Sequence, residues 1–407
     1  MSTMLLEELA AAGGSNAGGG GASFIGTFNQ GASGYYCEAL TVDGSGNLYL
    51  LMRQPSTVVK YNKSGVLQWQ RQLPADKNMY AIAVTASGNV YVGGDGGQVC
   101  TLNDVGAFQP AATVSYAGSY PVNIRGMAVD ASGNVYVCGT FLGEYGAVVK
   151  LSSSLEFIWG RYQYGGTPVG ISVSNTANGF VWVVHGNAAL VTKLDAGTGA
   201  PFASLTNYTA TTGTGICNDA SGNAYVCGSL YEGMYLFKLN DSNTAALWGQ
   251  KLTDFTNYLT AQAVSCDTSG NVYVVGRGPA NGGHSVISAK YNSLGILQWQ
   301  RKLYTGAGGA GYGASAVFDG FLYSGGYFNA AAGNGALFAK LPDNGTKTGG
   351  YAVGGNTATY AAGGVVEQST TPSVARSTQY ANGLSFNAAF YFVTVTAVSL
   401  TSYVTSV

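Results

Sequence analysis

Five near-copies of one heptapeptide constrain this chain more than any other feature. Asp43-Gly-Ser-Gly-Asn-Leu-Tyr49 is followed by Thr85-Ala-Ser-Gly-Asn-Val-Tyr91, Asp130-Ala-Ser-Gly-Asn-Val-Tyr136, Asp219-Ala-Ser-Gly-Asn-Ala-Tyr225 and Asp267-Thr-Ser-Gly-Asn-Val-Tyr273. Looser versions are Asn178-Gly-Phe-Val-Trp182 and Asp319-Gly-Phe-Leu-Tyr323. The closing aromatic residues, 49, 91, 136, 182, 225, 273 and 323, are separated by 42, 45, 46, 43, 48 and 50 residues. That period belongs to four-stranded blades rather than to helical repeats. The expected fold is all-β, a seven-bladed β-propeller over residues 23–355. An N-terminal docking segment with a Gly-rich tether (1–22) precedes it, and an uncharged, β-rich extension (356–407) follows.

Each repeat parses alike. In the third, strand A covers residues 127–129, the turn follows, and strands B, C and D cover 135–138, 147–151 and 157–159. Gly133 and Asn134 tolerate the positive φ of a tight hairpin, and Asp130 can hold the turn backbone. Asp43, Asp130, Asn134, Asp219 and Asp267 are therefore assigned to turn structure. Calcium is not expected there, because each turn offers one carboxylate where EF-hand loops use several. Strand C ends on a recurring lysine: Lys60, Lys150, Lys193, Lys238, Lys290 and Lys340. Blade 2 has Thr101 instead of the lysine and Thr85 instead of the turn aspartate, so a structural Asp–Lys contact is expected elsewhere. Phe24-Ile-Gly-Thr-Phe28 is similar to the strand D stretch Phe157-Ile-Trp-Gly-Arg161. Residues 23–29 are thus expected to form the outermost strand of the last blade and seal the ring.

Blades 1 and 6 are the closest copies, Lys60-Tyr-Asn-Lys-Ser-Gly-Val-Leu-Gln-Trp-Gln-Arg71 against Lys290-Tyr-Asn-Ser-Leu-Gly-Ile-Leu-Gln-Trp-Gln-Arg301. The pattern D-x-S-G-N-x-Y-V-x-G, then K-L/Y, then G-x-x-x-W, resembles the seven-bladed propeller repeat of bacterial surface proteins and phage virion proteins. The resemblance covers residues 23–355. It speaks to fold, because propellers host binding, scaffolding and catalysis alike.

Composition narrows the class. Hydrophobic residues make up 46% and charged residues 9%, which excludes a disordered polyampholyte. A net charge of -1 lacks the basic footprint of a nucleic-acid binder, so no such partner is expected. Cys37, Cys100, Cys138, Cys217, Cys227 and Cys266 form no CxxC pair, and Cys138 and Cys227 both follow Tyr-Val. They read as free, buried small hydrophobes of a protein folding in a reducing compartment. The first ten residues hold two acids and no base, which does not fit a secretion signal, so synthesis in the cytoplasm is expected. Residues 1–12 read as a short docking helix with Met4, Leu5 and Leu9 on one side. The longest apolar run, residues 388–398, is short and threonine-interrupted, so no membrane span is expected. No charged residue occurs in 377–407, and so β-branched and aromatic a stretch needs a cover, expected from a partner or a neighbouring subunit.

Strand alternation places the A–B and C–D turns on one face and the more variable B–C and D–A loops on the other. Binding candidates on the second face are Tyr80, Tyr120, Tyr258 and Tyr312 from D–A loops, with Glu144, Tyr145, Tyr231, Glu232, His284 and Tyr327 from B–C loops. Tyr, Ser, Gly and Asn presented on a rigid ring have the composition of a recognition surface, although any single tyrosine more simply packs between blades. Catalysis has little support: His185 and His284 fall in B–C loops two blades apart, and no metal-ligand spacing is present. Glu144 and Glu232 sit in alternate blades, too far apart for paired glycosidase carboxylates. No cofactor or metal is expected. The expected function is non-enzymatic, that of a phage virion component of a tail or appendage, made in the host cytoplasm. Its loop face binds a host receptor, a glycan or a neighbouring virion protein, while residues 1–12 and 377–407 make assembly or homo-oligomer contacts. The alternatives are a bacterial surface or extracellular binding propeller and a propeller lyase with a loop histidine as base.

Overall fold

In four of the five heptapeptides the opening carboxylate is consumed by its own turn. Asp130 Oδ1 accepts the backbone N–H groups of Ser132 and Asn134, both at 2.9 Å. Its Oδ2 accepts Asn134 Nδ2 at 2.8 Å and the Tyr136 hydroxyl at 3.0 Å. The same set recurs at Asp43, Asp219 and Asp267. Gly133, at φ 81°, supplies the left-handed residue that closes the hairpin.

The computed structural model describes residues 6–8, 23–28, 36–53, 55–73, 77–174, 179–187, 191–207, 212–230, 233–242, 245–253, 259–280, 283–305, 309–330, 333–346, 349–353, 356–362, 366–370, 374–376 and 393–398. Strands A to D of blade 1 are Tyr36–Val42, Leu48–Arg53, Thr57–Tyr61 and Leu67–Gln72. Those of blade 2 are Met79–Val84, Val90–Gly94, Gln98–Leu102 and Phe108–Tyr116. Blade 3 has Asn123–Val129, Val135–Phe141, Tyr145–Leu151 and Phe157–Tyr164. Blade 4 has Pro168–Val173, Phe180–His185, Val191–Asp195 and Pro201–Asn207. Blade 5 has Thr212–Asn218, Ala224–Leu230, Gly233–Leu239 and Ala246–Thr253. Blade 6 has Thr260–Cys266, Val272–Ala280, Gly283–Tyr291 and Leu297–Thr305. Blade 7 takes Gly309–Phe318, Phe321–Ala330 and Gly333–Pro342 from the end of the ring. Its strand D is Phe24–Phe28, paired antiparallel with Gly333–Pro342, so the ring closes through the N-terminal strand as the sequence suggests. Strand D elsewhere runs longer than expected, to Tyr164 in blade 3, because strand C extends far enough to pair with it.

The apolar residues of strands B and C fill seven clusters, one at each blade interface. The aromatic residue that closes each repeat is a core residue: Tyr49, Tyr91, Tyr136, Trp182, Tyr225, Tyr273 and Tyr323 are buried. The recurring lysine ties each blade to the next. Lys150 Nζ donates to the carbonyl of Ala196 at 2.8 Å, and Trp159 Nε1 donates to that same oxygen at 3.1 Å. Lys60 with Trp69, Lys238 with Trp248 and Lys290 with Trp299 share the carbonyls of Asp104, Ser293 and Asp343 in the same way. Lys193 reaches Asp241, and Lys340 reaches the Lys63 carbonyl at 2.7 Å to complete the ring. The expected Asp–Lys contact is direct at Lys238–Asp219, 3.5 Å. At Asp130 and Lys150 the tyrosine stands between: its hydroxyl binds the aspartate and the lysine Nζ lies 5.1 Å from its ring centroid. Blade 2, lacking both residues, uses a substitute. The Tyr91 hydroxyl, with no aspartate to bind, donates to the Ser153 carbonyl of blade 3 at 3.0 Å.

Three expectations require correction or restriction. Cys217 and Cys266 form a disulfide between the A strands of blades 5 and 6, with Cα atoms 6.2 Å apart; Cys37, Cys100, Cys138 and Cys227 are free and buried. Their separation of 49 residues is one blade period, and a ring sets equivalent A-strand positions side by side where a linear reading sees no pair. Within residues 1–12, Leu6–Glu8 is a strand antiparallel to residues 24–26 rather than part of a helix, since a helix this short cannot sustain itself beside an open sheet edge. The C-terminal extension pairs with its own ring. After the hairpin Gly349–Val353 and Asn356–Ala362, strands Asn356–Ala362, Val366–Thr370, Val374–Arg376 and Val393–Val398 lie on the outer strands of blades 6, 5, 4 and 2. Most of the expected contact segments, residues 1–5, 9–12, 377–392 and 399–407, lie outside the described residues.

Candidate recognition surface

Blades 2 and 3 carry two neighbouring hairpin tips that the repeat does not prescribe. Strand D of blade 2 turns back after Tyr116, and Tyr120–Pro121 pairs with Tyr116 and Ser115. In blade 3, Phe141 pairs with Tyr145 across the tip Leu142-Gly143-Glu144. Both tips use two left-handed residues, Ala117 (φ 50°) with Gly118 (φ 72°) and Leu142 (φ 52°) with Gly143 (φ 73°). Such turns match the twist of the flanking strands but favour Asn-Gly, so alanine and leucine are held there at a conformational cost.

The aromatic residues flanking the tips form one connected ledge. Tyr116 stacks on Phe141 at 4.9 Å between centroids and meets Tyr120 at 6.4 Å. Phe141 stacks on Tyr145 at 5.2 Å, and Tyr145 meets Tyr164 edge-on at 5.4 Å. Tyr162 packs beneath, against Tyr116 at 5.4 Å. Phe141 is buried at 2% exposure, whereas Tyr120 is 42% and Tyr164 66% exposed, so the ledge has a covered middle and open ends. The Glu144 carboxylate is exposed at the second tip, and its carbonyl accepts the Gly165 N–H at 2.8 Å.

Nearer the channel, blades 1, 2 and 3 share a charged knot. Arg53 pairs with Glu38 at 3.4 Å and Arg125 with Asp95 at 3.5 Å. The Tyr80 hydroxyl donates to Asp95 Oδ2 at 3.1 Å while its ring lies under Arg125, 3.9 Å from Cζ to centroid. Burial pushes the Glu38 carboxyl up against the pull of Arg53 and Arg125. Each cation here has its own acid, so the knot joins blades more than it offers charge to a ligand.

The remaining sequence candidates scatter. The Tyr327 ring packs edge-on against Tyr36 at 5.0 Å. His284 and Tyr312 fall in strands rather than loops, His284 pairing with Pro279 and Gly309. Tyr231, Glu232 and Tyr258 lie outside the described residues. His185 ends strand B of blade 4 and is buried, not a loop residue. Its Nε2 contacts Thr192 Oγ1 at 3.3 Å, its Nδ1 has no hydrogen-bond partner, and burial lowers its pKa from 6.5 to about 4. It borders a cavity of about 20 Å³ between blades 3 and 4, with Gly146, Arg161, Gln163, Pro168 and Thr192. Among the described residues no group of three or more His, Cys, Asp or Glu is placed to hold a metal ion. Of the other ledge residues, Tyr116, Phe141 and Tyr164 fall in loops that the sequence places on the variable face, and Tyr162 alone carries no such sign. The signal was present in two like strings, Tyr-Ala-Gly-Ser-Tyr120 and Phe-Leu-Gly-Glu-Tyr145, in neighbouring blades.

Comparison with known proteins decides the architecture alone. The chain is a seven-bladed β-propeller. It superposes on virginiamycin B lyase from Staphylococcus aureus with a TM-score of 0.58 at 12% identity, covering 83% of this chain and 100% of the lyase. The β-propeller domain of Myceliophteria thermophila Cps50 (Swd1) gives a TM-score of 0.53 at 12% identity, covering 77% of this chain and 97% of that domain. No protein-family profile matches the chain, and no curated protein matches it. Identities this low speak to fold and carry no activity across.

Proposed function

We propose that this propeller is a non-enzymatic structural and recognition protein, a component of a phage tail or appendage, whose loop face at blades 2 and 3 contacts a host surface receptor or a neighbouring virion protein. The observation that carries the reading is the open aromatic ledge formed where the loop-face hairpin tips of blades 2 and 3 meet. Two hairpin tips that hold alanine and leucine in left-handed backbone on the variable loop face support a binding role, since such strain gathers at functional sites. The Cys217–Cys266 bridge supports a working place outside reducing cytoplasm, whether on a particle or on a cell surface. Assembly contacts, including self-association, are assigned to the chain ends at residues 1–12 and 377–407.

Immunogold electron microscopy with an antibody against the propeller tests the placement. Label on the tails of purified particles is the expected result. Label confined to bare bacterial cells would move the protein to a cell surface. Recognition is tested by binding of the labelled chain to host cells, which Tyr164→Ala is expected to weaken.

A further inference from the structure

The ligand of the ledge can be narrowed, granted the recognition reading above. We propose that the ledge binds a neutral saccharide chain. The ring that is covered is a phenylalanine, Phe141, while the rings that reach solvent, Tyr120 and Tyr164, both carry hydroxyls. A ligand meeting these two rings must offer an apolar face to each plane and hydrogen-bonding groups around its edge. A pyranose does both: its axial C–H bonds make an apolar face that packs on a ring, and its hydroxyls surround that face. The rings are fixed beforehand by contacts of 4.9 to 6.4 Å with one another, so little side-chain freedom is lost on binding.

Charge sets the subclass. Apart from phenols, the one ionisable side chain in residues 116–120 and 141–145 is Glu144, and it is exposed. An exposed carboxylate beside the platform repels sialylated, uronate-bearing or phosphorylated saccharides and leaves neutral ones unaffected. A protein interface would add arginine anchors at a desolvated centre, whereas neither tip carries an arginine or a lysine. Leu142 and Ala117 hold left-handed backbone that any Gly or Asn would relieve, a second sign that the tip geometry is maintained for contact.

The test uses the full chain on a glycan array printed with neutral hexose and N-acetylhexosamine oligomers beside sialylated and uronate-containing ones. Neutral glycans are expected to bind, Tyr120→Ala and Tyr164→Ala to weaken them about tenfold each, and the distant surface change Leu294→Ala to leave them unchanged. Glu144→Gln is expected to admit the acidic series. Both tyrosines are exposed, so loss of fold is not anticipated, and circular dichroism checks it. In parallel, labelled chain is bound to host cells treated with periodate, which cleaves vicinal diols, or with proteinase. Binding that is tyrosine-dependent and lost on periodate treatment supports the proposal. Tyrosine-dependent binding that survives periodate and is lost to proteinase, with no array signal, overturns the saccharide assignment while leaving recognition by the ledge intact. Cell binding unaffected by either tyrosine substitution overturns both.

Discussion

Acidification should loosen this propeller at His185, and the size of the effect follows from its surroundings. The imidazole is fully buried, its Nδ1 has no hydrogen-bond partner, and the charged neighbour lining its cavity is Arg161, with no carboxylate among the lining residues. Desolvation therefore lowers its pKa from 6.5 to about 4. The unfolded chain takes up the proton first as pH falls, so the stability present above pH 6.5 is lost progressively down to pH 4. Integrating the linkage over that window gives about 3 kcal/mol between pH 7 and pH 4. The measurement is the difference in urea-unfolding free energy between the native chain and His185→Leu, followed by tryptophan fluorescence at several pH values. Carboxylates elsewhere titrate equally in both proteins and cancel. The native chain should lose about 3 kcal/mol relative to the variant, a midpoint change of roughly 1 M urea. Parallel curves across this window would refute the claim that His185 is held neutral by burial.

Three further outcomes are expected. Reducing the Cys217–Cys266 bridge, which closes a loop across 49 residues, should cost about 4 kcal/mol in the chain-entropy account, seen as a lower melting temperature in reductant that Cys217→Ala abolishes. A double-mutant cycle should show coupling of about 1 kcal/mol for Asp219 with Lys238, in contact at 3.5 Å, and under about 0.5 kcal/mol for Asp130 with Lys150, which Tyr136 separates. Leu142→Gly should stabilise the fold by about 1 kcal/mol in chemical denaturation, since the residue is exposed and its φ of 52° suits glycine; a loss of stability would mean that Leu142 makes a contact worth more than its strain.

The ring was legible because its rule is local. A heptapeptide that satisfies its own aspartate marks each inner hairpin, and the similarity of residues 24–28 to strand D revealed the closing strand. What depends on circular adjacency was not legible. The Cys217–Cys266 pair, the step from Lys150 to the Ala196 carbonyl and the Tyr91 substitute all join residues about one blade apart, where a linear string gives no sign of nearness. The candidate site was half visible. Tyr120, Glu144 and Tyr145 read as loop residues in the sequence, but their grouping with Tyr116, Phe141 and Tyr164 needs two hairpin tips from different blades set side by side. Tyr80 reads the same way in the sequence and belongs instead to an interblade charge knot.

The strands of the C-terminal extension run around the rim against the order of the blades, from 6 to 5 to 4 to 2. A pull applied at the C-terminus therefore meets the Val393–Val398 pair first and the ring last. Each rim strand can part from its blade without breaking the four-stranded unit beneath it. The extension thus lies in series with the ring, and the first pair such a load reaches sets Val393 opposite Tyr116, so the aromatic ledge stands beside the outermost link of the series.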